Sequence, residues 1–355
     1  MRIVVVCRLS DEKLLSKIRP LMVSPLVQEI HIVRREPLSG DKIKSWQPPA
    51  LWARTGLTAE LYRLCFLLYF CWRHRPDLLI GYYLVPHGAY VGLASWLFGI
   101  PGIQMIIGKD LDLALGSRWL LWLLRRADFV GLRGENMRRA LIAHGLAVER
   151  LFIPPNVFDF STFLPQQRPV EYDLIYVGNL SRYKRVDILI EVVARLKPRF
   201  PDLRLALIGS GKLAKALQVG VARAGLSENV VFLGHKSKSE IRDHLNRSRV
   251  FIMTSEAEGL PMAVVEAMSC GLPVIVPDVG DVTDVAQDGI NALVVPALDV
   301  DAFVCAVTQL LTDAALYRRL AGQAVRIREV LADRYSLAHA ERIWSSVLER
   351  VQVGD

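Results

Sequence analysis

From residue 78 to residue 108 the chain carries no Asp, Glu, Lys or Arg, a stretch longer than the ~20 residues a membrane-spanning helix needs. Gly81, Pro86, Gly88, Gly92, Gly99, Pro101 and Gly102 break it up, and a single spanning helix would not tolerate that punctuation. The run reads instead as a strand at 78–84, a helix at 89–98, a turn at 99–102 and a strand at 103–107. Strands that are apolar on both faces belong to parallel sheets covered by helices on each side. One segment therefore commits the neighbourhood to α/β architecture.

The same alternation runs through the rest of the 355 residues. Further strands are expected at 2–8, 29–34 and 129–132, then at 174–177, 204–208, 230–233, 250–253, 273–276 and 292–295, with helical patterns such as 187–196 and 213–224 between them. Two such sets predict two Rossmann-like, doubly wound parallel-sheet domains. Pro154, Pro155 and Pro165 mark a connection between them. The expected division is 1–160, 161–335 and a C-terminal helix at 336–355 packing back across the junction. Open sheets of this kind bind ligands beyond the carboxyl ends of their strands, so a central cleft between the domains is the expected active site.

Charge is unevenly spread. Residues 1–150 hold 21 Lys/Arg and 12 Asp/Glu, leaving 23 and 24 for the remainder of a chain with 44 and 36. The positive excess therefore lies in the first half, where it suits an anionic bilayer, a phosphorylated substrate or simple solubility. Two apolar, aromatic helices in that half, at 57–72 with Arg63 and Arg73 at its flanks and at 119–126 ending in Arg125 and Arg126, have the composition of interfacial helices; packing against the core is the alternative for each. No nucleic-acid recognition motif accompanies the charge. Five scattered cysteines without a paired spacing fit a reducing compartment, and the N-terminus lacks the apolar core of a signal peptide. A cytoplasmic protein, peripheral at the inner face of the membrane, is expected.

The densest chemical stretch follows the strand at 250–253: Glu258, Gly259, Leu260 and Pro261 lead into a helix bearing Glu266 and ending near Gly271. Carboxylates beside a helix N-terminus can accept from sugar hydroxyls while the backbone amides meet phosphate oxygens. Asp110 and Asp112 match a metal-binding Asp-x-Asp, but the two-domain pattern around them is the wrong setting, and no metal or cofactor is expected.

Glu258-Gly-Leu-Pro261 with the second carboxylate at Glu266 resembles the hallmark of the retaining glycosyltransferases of family 4, of GT-B architecture. Tyr176-Val-Gly178 through Lys184, Leu207-Ile-Gly209-Ser-Gly211, Val231-Phe-Leu-Gly234-His235-Lys236 and Ile153-Pro-Pro-Asn156 are similar to further family segments in the right order. The resemblance implies that Lys184 stabilises the donor diphosphate and that Glu258, Gly259, Leu260 and Pro261 hold the donor sugar. It also implies that Glu266 binds ribose, that His235 and Lys236 lie by the base, and that Gly178 and Gly209 admit the nucleotide. Asn179 stands where many members carry Arg, so Arg182 or Arg185 becomes the candidate replacement. No histidine occupies the usual place in the first half, which makes His87, Lys109 and Asp110 candidates there.

The implied activity is transfer of a sugar, with retention, from a UDP or GDP sugar to a lipid-linked or growing glycan acceptor at the membrane surface. A transferase with a soluble acceptor and a non-catalytic nucleotide-sugar-binding scaffold subunit are the alternatives; a dehydrogenase lacks its dinucleotide fingerprint.

Overall fold

The computed structural model describes the chain except residues 10, 34–36, 48, 50–55, 108, 109, 259, 260 and 355. The chain divides into two compact units, Met1–Phe158 with Asp333–Asp355, and Asp159–Ala332.

The first unit is built on seven parallel strands, β1 (Arg2–Val6), β2 (Glu29–Val33), β3 (Ile43–Trp46), β4 (Leu78–Tyr82), β5 (Gly102–Met105), β6 (Phe129–Gly131) and β7 (Leu151–Phe152), in the order β3-β2-β1-β4-β5-β6-β7. Val4 faces His31 of β2 on one side and Leu79 of β4 on the other. Every residue of β4 and β5 is buried, which accounts for the uncharged run. Its middle forms the short helix Ala89–Phe98, closed by Gly99 at φ +64°, a left-handed conformation that glycine adopts without steric cost. Among the described residues no single helix is long and apolar enough to cross a membrane.

Strands β3 and β7 escape the sequence reading for physical reasons. β3 is an edge strand of alternating half-buried and exposed residues, Ile-Lys-Ser-Trp, with a polar content typical of edges. β7 has two residues, Leu151 and Phe152, too few to show a period.

Helix Gly56–His74 turns Ala59, Arg63, Leu67, Phe70 and Cys71 inward, a stripe at helical spacing, while Leu57, Leu61, Tyr69 and Trp72 face solvent. Arg63 is accordingly not the basic flank expected of an interfacial helix: it is buried and ion-paired with Glu60 at 2.5 Å. The last helix, Leu337–Val353, packs along helix Asp11–Val23, and its Trp344, Val347 and Leu348 enter the same core as Ile3, Leu14 and Ile18.

The second unit holds six parallel strands, β8 (Tyr172–Val177), β9 (Leu205–Ile208), β10 (Val230–Gly234), β11 (Ser248–Ile252), β12 (Val274–Pro277) and β13 (Ala292–Val295), in the order β10-β9-β8-β11-β12-β13. All six lie within two residues of their expected bounds. Helix Val186–Leu196 buries seven apolar side chains against the sheet and helix Val300–Thr312; a fully buried Val, Leu or Ile contributes ~1.5–3 kcal/mol.

Candidate active site

In the second unit the chain moves outward from β8 to β9 and β10, then resumes at β11 on the opposite side of β8. Such a reversal leaves an opening beyond the carboxyl ends of the two adjacent strands. The loops that leave β8 and β11 carry Lys184 and Glu258. The ammonium of Lys184 donates to Glu258 Oε1, and Ser255 Oγ donates to the same oxygen at 2.6 Å. The side chains are 16% and 10% exposed, half-withdrawn from water yet reachable.

Main-chain ties hold the two loops in register. Thr254 Oγ1 donates to the Arg185 carbonyl at 2.9 Å and lies 3.3 Å from the Lys184 carbonyl; the Glu256 amide donates to the Tyr183 carbonyl at 2.9 Å. Arg185 sits at φ +47°, a left-handed conformation uncommon for a residue with a side chain, and its guanidinium grips the Asp187 carboxylate with contacts of 2.8 Å and 3.1 Å.

The neighbouring strand ends meet through glycines. Gly178 donates to the Ile208 carbonyl and Gly209 to that of Gly234 at 2.8 Å. Gly209 lies at φ +142°, and a Cβ there would come within 1.9 Å of the Gly178 carbonyl oxygen. On the side where a Cβ would project, Gly209 is backed by the chain's own backbone: the glycine lets three loops close on one another. Gly280, which no motif pointed to, does the same beside the acid; at φ +57° its added Cβ would lie 1.8 Å from the Glu258 carbonyl oxygen.

The other expected residues are variously placed. Pro261 is buried and precedes helix Met262–Ser269 as its cap. Glu266 is half-buried on that helix. His235 is exposed directly after β10, and Lys236 pairs with Glu240 at 3.2 Å. Arg182 and Arg185 line a separate cavity of about 630 Å³ with Asp187, Leu213 and Glu256. Gly259 and Leu260 fall outside the described residues, as does Lys109.

In the first unit, β1 and β4 are the strands at which the order reverses. His87, buried after β4, holds the Tyr82 carbonyl at 3.0 Å through Nδ1, and its Nε2 lies 3.3 Å from Glu60. Burial alone would raise the Glu60 carboxyl; His87 and the Arg63 charge outweigh it and hold it below its ordinary range. Asp110 is also buried, and one of its oxygens accepts from the Leu84 and Ile107 amides at 3.1 Å and 2.9 Å. It fastens two loops together, with burial raising its carboxyl in spite of those bonds. Sequence reasoning passed over Glu60, the one acidic residue of a helix whose other ionisable groups of note are basic.

The sequence profile Glycosyl transferases group 1 matches residues 163–326. The similarity to that family spans a little less than half of the chain. Both parallel-sheet units match GT-B glycosyltransferase structures, among them HepE of Anabaena in complex with UDP and glucose (TM-score 0.77, 18% identity, 98% of this chain and 99% of that one). Sucrose-phosphate synthase of Thermosynechococcus elongatus is similar to the same degree (TM-score 0.76, 16% identity, 100% of both chains). In sequence the chain is 33% identical to a GDP-mannose-dependent alpha-(1-6)-phosphatidylinositol monomannoside mannosyltransferase of Mycolicibacterium smegmatis, over 47% of this chain and 44% of the relative. The chain spans about half the length of the curated relatives it matches. The matched segment contains Lys184, Glu258 and Glu266, and it covers every strand of the second unit.

Proposed function

We infer that the protein is a retaining glycosyltransferase that moves a sugar from a nucleoside diphosphate donor to a glycan or lipid-linked acceptor. The observation that carries this reading is the Lys184–Glu258 pair, set where the strand order of the second unit reverses. An ammonium stabilises the charge that develops on a departing diphosphate, and it does so more strongly in a site with little water. A carboxylate accepts from the hydroxyls of the transferred sugar. Glu266 takes the ribose hydroxyls, Lys236 and His235 flank the base, and departing phosphate oxygen assists the acceptor hydroxyl on the same face of the sugar. No metal or cofactor enters the reaction. UDP bound to HepE and the GDP-mannose dependence in the mycobacterial relative's name both favour a UDP or GDP sugar.

The acceptor reading rests on the first unit. Its excess of basic residues and its exposed tryptophans support peripheral attachment to the cytoplasmic face of a membrane and a role in assembling polysaccharide or glycolipid there.

A thermal-shift screen across nucleoside diphosphates and their sugars tests the donor, because a ligand that prefers the native state raises its apparent stability. With the donor known, Lys184→Ala is expected to lower kcat about a hundredfold or more while donor affinity falls less, as for a group that acts mainly in the transition state. A tightly bound donor that is neither transferred nor hydrolysed would replace this reading with that of a binding subunit.

A further inference from the structure

In the first unit a recess of about 10 Å³ is lined by Lys17, Tyr82, Ile107, Arg133, Asn156 and Trp344 among others. Tyr82 is the last residue of β4, Arg133 follows β6 and Asn156 follows β7. The recess therefore lies beyond the carboxyl ends of neighbouring strands, the edge at which sheets of this kind bind ligands. Helix Asp11–Val23 brings Lys17 to it, and the last helix supplies Trp344 as a wall. Its volume admits a single oxygen atom or one water molecule. None of these residues belongs to the Lys184–Glu258 site.

Positive charge gathers at the recess without a counter-charge. Lys17 Nζ and Arg133 Nη1 both donate to Asn156 Oδ1, at 3.4 Å and 2.6 Å, so two cations share one neutral acceptor. Among the described residues no carboxylate forms an ion pair with Lys17. Burial, together with the charges of Arg133 and Lys13, pulls its ammonium down to about 7. Tyr82 is 0% exposed, and its hydroxyl has no hydrogen-bond partner among the described residues. That hydroxyl feels the Arg133 charge, which opposes the upward push of burial on it. A buried hydroxyl left unpaired is disfavoured, as is a buried cation without an anion.

A phosphate group relieves both penalties at once. One of its oxygens fits the recess and accepts from Tyr82, while others at the mouth meet Lys17 and Arg133. A carboxylate brings one charge against two cations. We propose that this recess binds a phosphate group carried by the acceptor, with Tyr82 and Lys17 as donors that select for it. The inference rests on the proposed reading that the first unit binds the acceptor, and it adds a phosphate to that acceptor's chemistry. A soluble phosphate ester and a lipid-borne phosphate offer the same group.

Calorimetric titration of the full chain with methyl phosphate tests the proposal. The wild type should bind it at one site. Tyr82→Phe removes only the unpaired oxygen, so it should keep or raise the thermal midpoint of the free protein. It should nevertheless weaken methyl phosphate about tenfold or more, the worth of one hydrogen bond to a charged group. Lys17→Met should weaken it at least as much. At pH 8, titrations in buffers of different ionisation enthalpy should show the wild type taking up close to one proton as Lys17 recharges beside the anion. Lys17→Met should take up none. Phosphatidic acid in phosphatidylcholine vesicles presents the group on a lipid. Because Tyr82→Phe changes no charge, weaker vesicle binding by that variant assigns the site to a lipid-borne phosphate, and unchanged vesicle binding assigns it to a soluble one. A wild type that does not bind methyl phosphate, or binding that neither substitution weakens, overturns the site. Either failure leaves the transferase reading standing, since the nucleoside diphosphate screen tests the donor separately.

Discussion

Gly280→Ala is the substitution in which the candidate site's dependence on backbone contact can be measured. Two costs attend it. A left-handed conformation is disfavoured by about 1–2 kcal/mol for a residue bearing a Cβ, and Gly280 lies at φ +57°. The new methyl would also lie 1.8 Å from the Glu258 carbonyl oxygen, where such atoms essentially never approach within 3.0 Å. The two backbones must therefore part by about 1.2 Å, and a displacement of that order at a reacting group costs about 100-fold in rate. Gly289→Ala supplies the control. It lies at a similar φ of +65°, but nothing stands within 4 Å of its added Cβ, so it carries the conformational cost alone. Denaturant midpoints and donor titrations of both variants, followed by transfer kinetics, separate the two effects. Gly289→Ala should lose about 1–2 kcal/mol of stability and Gly280→Ala more than that, and only Gly280→Ala should lose donor affinity and turnover. If the two variants bind and turn over donor alike, the contact at Glu258 has no part in the site.

Two further predictions concern charges in the first unit. Burial, reinforced by Arg133 and Lys13, pulls Lys17 down from 10.5 to about 7. Between those values the unfolded chain binds the proton that the native state has released, so stability should rise with pH through that window and be lowest below it. Lys17→Met should flatten the slope, as read from denaturant midpoints taken across the window; an unchanged slope would assign it to other groups. Glu60→Gln removes the carboxylate that pairs with buried Arg63 and should cost about 3 kcal/mol. Because the Glu60 carboxyl is held low in the native state, its contribution is present at neutral pH and lost as pH falls through the native value. Acid unfolding of the variant should therefore be less steep than that of the wild type.

The sheet of the second unit was legible because its strands are short apolar runs fenced by glycine, proline and polar turns, and β8, β9, β11 and β12 are buried over most of their length. Lys184 and Glu258 were legible as a motif but not as a pair: they stand 74 residues apart, and only the adjacency of β8 and β11 brings them together. Nothing in the sequence announces that adjacency except the general rule for doubly wound sheets. Asp110 and Glu60 show the opposite limit. A carboxylate in an apolar stretch looks like chemistry, yet Asp110 is engaged by two backbone amides, and Glu60, overlooked, neutralises an arginine inside the core. Gly280 stayed hidden because its reason is a contact with a distant loop, which leaves no local pattern.

The first unit is discontinuous along the chain, with Trp344, Val347 and Leu348 completing a core begun by Ile3, Leu14 and Ile18. On the ribosome, the second unit has all its residues before those late side chains are made. The earliest-synthesised sheet must therefore wait, with part of its apolar surface uncovered, for the final helix to emerge. A stop codon that removes only the last two dozen residues would harm the beginning of the protein rather than the segment beside the cut.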